Sequence, residues 1–573
     1  MNPFTLRCDK RLVFLAVFFV ALALRVVFVF QWNHTPYGAM PFLDARLNDD
    51  WAQAIAQGQL LRLRAFYTSP LYPYALGALY AVFGHSLLLA GLFNALLSAL
   101  FAAVLSVLAY DCFGFKSAVV TGILAAFFRP LVFYTAPILK ESLLLLLLAL
   151  FLMFAVRALR QNRLRDAALA GALLGFCALA RGNVLLLASI VFAFGFFKWR
   201  RRFLGSGALF AIVLLLCIAP ATIHNYIVSG DFVPLNYDDG FNFYIGNSPT
   251  ANGANEYPPE ISTDPVQEEL GGIAEAREAR GHDVGPSEVS TYWRDKAVDF
   301  ILHNPMRDLV LLKNKFLAFW NNAEISDSYD SYSFQSDFGT LVSGPLLPFW
   351  PISCLAAFGV GAAYLKRREE VTLLAGFAFV YMLSVLLFYV TDRYRLPVVV
   401  FLLPLAGAAV PSGVWLVRAK AWRSLMAAAV LAIVFLFLGL RTAADAVDTS
   451  AILPENSDVQ VFIRGALTEE SRGHYAHAER LLKAAMQRYP ADGVINYNYG
   501  CLKVLQGDFP AALAAFQKAI DLKPTYVLAY YEQAKIYEKI GGHAHAIASV
   551  QHGLEANPSD PLLLQALAEL RGK

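Results

Sequence analysis

The segment Leu43-Asp44-Ala45-Arg46-Leu47-Asn48-Asp49-Asp50-Trp51 follows the first membrane-length apolar run and carries three carboxylates within seven residues. At the water edge of a bilayer a carboxylate can take a proton from a substrate or bind a cation, and helix packing in lipid does not require it. Residues 48–57 have helical spacing, with Trp51 and Ile55 on one side. In that reading Asp49 and Asp50 occupy a first helical turn, where acidic side chains complement the dipole. Asp44 lies just outside the helix, without that role, and is the candidate general base. Asp49 is the reserve, as base or as ligand for a divalent metal.

Three other short segments place charge beside apolar runs. Lys140-Glu141 heads the run Leu143 to Leu150, Arg181-Gly182-Asn183 separates two short runs, and Asp392-Arg393-Tyr394-Arg395-Leu396-Pro397 opens another. Charges entering a membrane helix are costly and need a partner or a function. An interfacial salt bridge would account for Lys140, Glu141 and Arg181 as well as a functional role does. The planar fork of arginine suits a phosphate, so Arg393 and Arg395, with Lys140, are candidate ligands of a lipid phosphate. Glu141, Arg181 and Tyr394 are then supporting residues. The plainer reading of the two arginines is that they reach toward lipid headgroups. The polar and aromatic stretch Gly240 to Asn247, with Tyr292-Trp293 and Lys313 to Trp320, suits sugar contacts and equally suits a folded cap. No P-loop, GxGxxG, HExxH or GxSxG pattern occurs, so nucleotide-driven chemistry and zinc proteolysis lack support. No nucleic-acid partner is expected.

Membrane helices must hold these residues. The chain of 573 residues is 57% hydrophobic and 16% charged, where a soluble protein carries about 25% charged residues, and its mean hydropathy is +0.49. Apolar runs predict spans near residues 12–30, 86–109, 118–135, 139–156, 167–180, 183–197, 204–222, 341–364, 372–390, 396–416 and 425–440, about eleven helices in the bilayer. Basic residues at Arg7 to Arg11, Lys116, Arg157 to Arg165, Lys198 to Arg202, Lys366 to Arg368 and Arg418 to Arg423 alternate with these runs. Placed in the cytoplasm, they put residues 31–85, residues 224–340, the three charged turns and everything after Arg441 on the other face. The expectation is a multi-pass protein of a bacterial inner (cytoplasmic) membrane, with its N-terminus cytoplasmic and its C-terminus periplasmic or extracellular. The run Leu12 to Phe30 is long for a signal peptide and no small-x-small cleavage site follows it, so it reads as a retained helix. Six scattered cysteines without a CxxC pair indicate neither a disulfide framework nor a zinc site.

Beyond Arg441 the composition turns soluble and periodic. Gly473, Gly507 and Gly541 lie 34 apart, as do Ala478, Ala512 and Ala546, and Pro490, Pro524 and Pro558. Each unit reads as two helices: a small residue at their crossing, an alanine on the second helix, then a proline that starts the next repeat. Val459 to Leu467 can supply an initial helix and Pro561 to Leu570 a cap. This period resembles the tetratricopeptide repeat, an α-solenoid. Tyr497, Tyr499, Tyr530, Tyr531 and Tyr537 fall on first helices, where they pack between repeats or grip a peptide or protein partner. The expected domains are residues 1–445, in the membrane, and 446–573, the repeats.

The assembled pieces resemble a membrane glycosyltransferase of the GT-C fold, similar to glycosyltransferase family 39, the protein O-mannosyltransferase-like enzymes. The resemblance rests on Leu43-Asp44-Ala45 with Asp49 and Trp51-Ala52, Ser69-Pro70-Leu71-Tyr72-Pro73-Tyr74, Ile138-Leu139-Lys140-Glu141, Arg181-Gly182-Asn183, Gly240 to Asn247, and Arg393-Tyr394-Arg395-Leu396-Pro397. It spans about residues 10 to 440 and departs from many relatives in having Asp44-Ala45 where they carry an adjacent Asp-Glu pair. It implies an all-α polytopic bundle that transfers a sugar from a polyprenyl-phosphate donor in the lipid bilayer. The acceptor would be a protein, a glycan or a lipid on the non-cytoplasmic face, and Asp44 would match the family's acidic residue in the first external loop. Two other classes remain open: a non-catalytic scaffold that recruits envelope proteins through its repeats, and a transporter, which would need charges near mid-span.

Overall fold

The computed structural model describes residues 3–39, 41–254, 265–329 and 331–440, then 475–558 and 560–571, with scattered residues between 459 and 470. The chain forms two compact units, residues 1–454 and 455–573. The boundary expected at residues 445/446 falls outside the described residues.

The first unit contains, in chain order, α1 (Pro3–Asn33), α2 (Asp44–Ala56), α3 (Leu71–Phe83), α4 (Leu87–Phe113), α5 (Phe115–Phe127), α6 (Glu141–Gln161), α7 (Leu164–Ala180), α8 (Ala188–Trp199), α9 (Phe203–Ser229), α10 (Asp239–Asn247), α11 (Pro265–Arg280), α12 (Pro286–His303), α13 (Pro305–Trp320), α14 (Phe349–Ala363), α15 (Arg368–Leu386), α16 (Asp392–Arg395), α17 (Val399–Arg418) and α18 (Trp422–Leu440). Among the described residues seven stretches are long and apolar enough to cross a membrane: Lys10–Asn33, Leu87–Phe113, Glu141–Gln161, Gly182–Ser229, Arg368–Leu386, Asp392–Arg418 and Trp422–Leu440. The fourth, of 48 residues, holds two of the eleven expected spans. The remaining three are the shorter helices α5, α7 and α14, of 13, 17 and 15 residues.

The short helices have a physical cause. Pro130 has no N–H to offer Ala126 O and its ring clashes with that carbonyl, so α5 breaks at Phe128 before a short helical turn, Arg129–Phe133. There the chain pairs with the segment before α14: Arg129 N donates to Leu347 O at 2.8 Å and Leu347 N to Phe127 O at 2.9 Å. The carbonyls at the end of α5 would be orphaned among apolar helices. Arg25, fully buried on α1, supplies the donors: Nη2 to Ala125 O at 3.0 Å, Nη1 to Ala126 O at 3.3 Å, and Nε to Ser98 Oγ at 2.7 Å. Small residues bring other helices into backbone contact. A Cβ on Gly359 would lie 1.9 Å from Leu405 O, and one on Gly407 would lie 2.0 Å from Thr121 Oγ1, so α17 runs tightly against both α14 and α5.

Charge separates along the bundle. α6 has 21 residues, about 30 Å at 1.5 Å per residue. At its C-terminal end Arg157 Nη2 lies 3.3 Å from Asp111 and Arg160 Nη2 lies 2.5 Å from Glu370, while Lys10 pairs with Asp111 and Lys198 with Glu369. Several residues expected on the cytoplasmic face thus share one end. Glu141, at the other end of α6, belongs to a different charged cluster.

The second unit contains α19 (Tyr475–Arg488), α20 (Gly493–Leu505), α21 (Phe509–Leu522), α22 (Val527–Lys539), α23 (His543–Ala556) and α24 (Pro561–Arg571). Gly507 and Gly541 lie in the turns between α20 and α21 and between α22 and α23, at φ +77° and +81°. Their recurrence therefore reflects a left-handed turn rather than a helix crossing. Ala512 and Ala546, fully buried, occupy the packed positions. Tyr497 packs on Phe516 and Tyr526, and Tyr530 donates to Pro524 O at 3.1 Å. Gly473 and much of the segment 459–467 lie outside the described residues.

Arg25→Met should destabilise the membrane unit by about 1–3 kcal/mol, since it strands buried carbonyls. The measurement is the melting temperature in detergent, with Arg25→Lys expected to recover part of the loss.

Candidate active site

α2 begins at Asp44, earlier than the sequence spacing predicts. Asp44 therefore occupies the first turn and complements the dipole, and Asp49 and Asp50 lie farther along. The preceding residue, Leu43, has φ +49° and ψ −129°, a conformation that β-carbon sterics disfavour. The strained step turns the chain from the segment after α1 into α2 and places Asp44 where its carboxylate meets α16.

Arg393 is the centre of what it meets. The Arg393 side chain is 3% exposed and lies at ion-pair distance from three carboxylates: Nη2 at 2.7 Å from Asp44 Oδ2, Nε at 2.9 Å from Glu141 Oε1, and Nη1 at 2.9 Å from Asp327 Oδ2. Nη1 also donates to Ser328 Oγ at 2.9 Å. Arg181 braces the arrangement, with Nη2 3.0 Å from Glu141 Oε1 and Nη1 donating to Arg393 O at 3.1 Å. Its guanidinium stacks 4.6 Å from the centre of the Tyr394 ring. Thr391 caps α16, accepting from Tyr394 N at 3.2 Å, and Asp392 N donates to Ile325 O at 2.8 Å. The second bond holds α16 against the segment that supplies Asp327. Four stretches distant in sequence thus converge on one cation.

Lys140 is the third cation here. Its Nζ donates to Ser69 Oγ at 3.3 Å. Burial, with Arg181 and Arg393 beside it, brings its pKa down to about 8 against the pull of Glu141 and Asp44. Asp44 responds the other way: burial raises its pKa, but Arg393, Lys140 and Arg181 prevail and hold it below the usual carboxylate value. With its side chain 34% exposed, Asp44 is ionised at neutral pH and open to approach. Lys140 and Arg181 also line an open cleft of about 500 Å³, with Ser69, Asp238, Asp239 and Tyr394 among its walls.

Two sequence candidates stand elsewhere. Asp49, 4% exposed, accepts from Tyr80 OH at 2.6 Å and Gln53 Nε2 at 2.8 Å and pairs with His85 Nε2 at 3.0 Å. Those contacts tie α2 to α3 and to the turn before α4, and they occupy the carboxylate. Arg395 turns away from the cleft. It donates to Phe319 O, Asn321 O and Ala323 O at 3.3, 2.5 and 3.1 Å, pairs with Glu324 at 3.0 Å, and lies over the Phe349 ring. Among the described residues Asp50 pairs only with exposed Arg46, at 3.5 Å. Among the described residues no group of three or more His, Cys, Asp or Glu side chains is placed to hold a metal ion. Sequence reasoning missed Asp327 and Ser328, which carry no local motif. It also missed Asp238 and Asp239, whose only signal is an adjacent acidic pair just before Gly240.

Residues 68–224 match the dolichyl-phosphate-mannose-protein mannosyltransferase family. The matched stretch includes Lys140, Glu141 and Arg181. Residues 501–541 match the tetratricopeptide repeat. Among solved structures, ArnT from Cupriavidus metallidurans bound to undecaprenyl phosphate is 14% identical over 96% of this chain and 80% of its own, with a TM-score of 0.41. The oligosaccharyltransferase AglB from Archaeoglobus fulgidus, in complex with an inhibitory peptide and a dolichol-phosphate, is 14% identical over 79% of this chain and 56% of its own, at 0.42. MamA is 22% identical over 23% of this chain and 75% of its own, at 0.19. No curated protein matches the chain.

Glu141→Gln should cost about 3–5 kcal/mol, because two buried guanidinium groups lose a shared countercharge. Asp50→Asn, outside the network, should stay within about 0.5 kcal/mol. Thermal unfolding in detergent distinguishes the two.

Proposed function

We propose that the protein is a membrane glycosyltransferase that moves a sugar from a polyprenyl-phosphate donor to an acceptor on the periplasmic or extracellular face. The observation that carries this reading is the convergence of Asp44, Lys140, Arg181 and Arg393 at one end of the bundle, beside an open polar cleft. An ionised carboxylate next to a cleft lined by Lys140 is a pairing suited to displacing a lipid phosphate. In the reaction the acceptor oxygen attacks the anomeric carbon while Asp44 removes its proton. The bond from that carbon to the phosphate oxygen breaks, and polyprenyl phosphate leaves with the electron pair. Lys140, which lines the cleft, neutralises the leaving phosphate. Arg393 holds Asp44 in place and in its ionised form, and Arg181, through Glu141 and the Arg393 carbonyl, holds Arg393. Arg395, committed to carbonyls and Glu324, anchors the turn. Displacement from the opposite face inverts the anomeric centre.

The positive-inside pattern supports a bacterial inner-membrane protein with these residues outside and the repeats outside as well. The repeat unit is a candidate surface for an acceptor protein or another envelope partner.

Proteoliposomes with radiolabelled polyprenyl-phosphate sugars and envelope extract test the reading. Asp44→Asn should lower transfer by roughly a hundred- to ten-thousand-fold while membrane insertion and donor binding persist. Full transfer by that variant, or loss of function only on removal of residues 455–573, would overturn the reading in favour of a scaffold.

A pH profile tests Lys140 separately. The ammonium binds phosphate only when protonated, so kcat/KM should fall as pH rises through about 8. Lys140→Arg should move that falling limb to higher pH, since arginine keeps its proton there.

A further inference from the structure

We infer that the cleft beside Lys140 is the glycosyl pocket, and that Asp239, with the amide oxygens of Asn183 and Asn236, selects a sugar rich in hydrogen-bond donors and rejects a uronic acid. This rests on the glycosyltransferase reading above and adds the class of sugar. The cleft is open to solvent and lined by polar side chains, among them Ser69, Lys140, Asn183, Asn236 and Asp239. Its hydrogen-bonding inventory is uneven. Asp239 opens α10 and is open to the cleft, without a hydrogen-bond or ion-pair partner among the described residues. A Cβ built on Gly182 would stand 3.9 Å from Asp239 Oδ2, so the carboxylate lies over the Arg181-Gly182-Asn183 turn.

The two amides point the same way. Asn183 Nδ2 donates to Ser384 Oγ at 3.0 Å and Asn236 Nδ2 donates to Asp238. Those bonds fix which end of each amide is nitrogen, and both Oδ1 atoms are buried without a partner. Native proteins rarely leave buried acceptors unmet, and a ligand's hydroxyl or ammonium groups would meet them. Asn242, by contrast, is satisfied at both ends, by Asp238 O and Tyr389 OH.

Unused donors are fewer. Lys140 serves the phosphate, and Arg181, 4% exposed, has only Nε without a hydrogen-bond partner. That atom can hold one sugar oxygen while the acceptors take hydroxyl protons. A carboxylate on the sugar would instead face Asp239. Desolvation by the cleft walls lifts Asp239 to about 6 despite Lys140, so it is charged at neutral pH and repels a second carboxylate.

The full chain in proteoliposomes, with polyprenyl-phosphate donors bearing a neutral hexose, an amino sugar or a uronic acid, tests the inference. Wild type should use the neutral and amino sugars with kcat/KM at least about a hundredfold above the uronic acid. Asp239→Asn should raise KM for the neutral donor about tenfold with kcat little changed, and should narrow the gap to the uronic acid by about tenfold. If Asp239 only stabilised the start of α10, its substitution would lower the melting temperature and leave the ratio between donors unmoved. An unmoved ratio, or a wild-type preference for the uronic acid, rejects the inference while leaving the glycosyltransferase reading intact. Failure of wild type to transfer any of the three sugars rejects both together.

Discussion

The guanidinium of Arg393 is nearly inaccessible to water and faces three carboxylates drawn from the first loop, the head of α6 and the second loop. A buried cation is tolerable only when countercharges and hydrogen bonds replace its hydration. Here each countercharge sits on a different stretch of chain, so satisfying the cation requires assembling the loops. The second guanidinium, Arg181, shares Glu141 and accepts the constraint of the Arg393 carbonyl. Three cations, Lys140, Arg181 and Arg393, therefore stand among three acids, Asp44, Glu141 and Asp327. The balance keeps the group of charges stable at the end of a hydrocarbon-facing bundle. Asp44 is the acid in this group whose side chain retains a third of its surface.

The same principle works deeper in the bundle with a different partner set. Among the described residues Arg25 pairs with no carboxylate and instead fills the carbonyls that α5 leaves open when it stops short. A half-length helix among apolar neighbours would be prohibitive without such a donor. Stopping α5 lets the chain reverse through residues 128–140 and deliver Lys140 and Glu141 to the head of α6. The break in one helix and the position of two site residues are thus linked by a single arginine on α1.

Much of the architecture was legible beforehand because hydrophobicity and period are local properties. The apolar runs marked the helices, and the 34-residue register marked the repeat unit. The charged turns were also visible, since a charge at the end of an apolar run is conspicuous. Their partners were not. Arg393 and Arg395, two residues apart and identical in type, look equivalent in sequence. In the fold one holds three acids and the other closes on carbonyls and Glu324, because a turn of α16 points them to opposite surroundings. The first helical turn fell to Asp44 rather than Asp49 for a similar reason. The helix starts four residues earlier than its spacing suggests, and the buried contacts with Tyr80 and His85 cannot be read from α2 alone.

By itself, the sequence determined that this is a helical membrane protein with a repeat domain, and that acidic and basic turns collect on one face. Those properties follow from side-chain transfer into lipid and from periodicity, which each segment carries within itself. Only the tertiary structure decided which charges meet, which carboxylate stays open, and that Asp327, Asp238 and Asp239 join the site. Ion pairing and desolvation act through space between segments hundreds of residues apart, so no local pattern records their outcome.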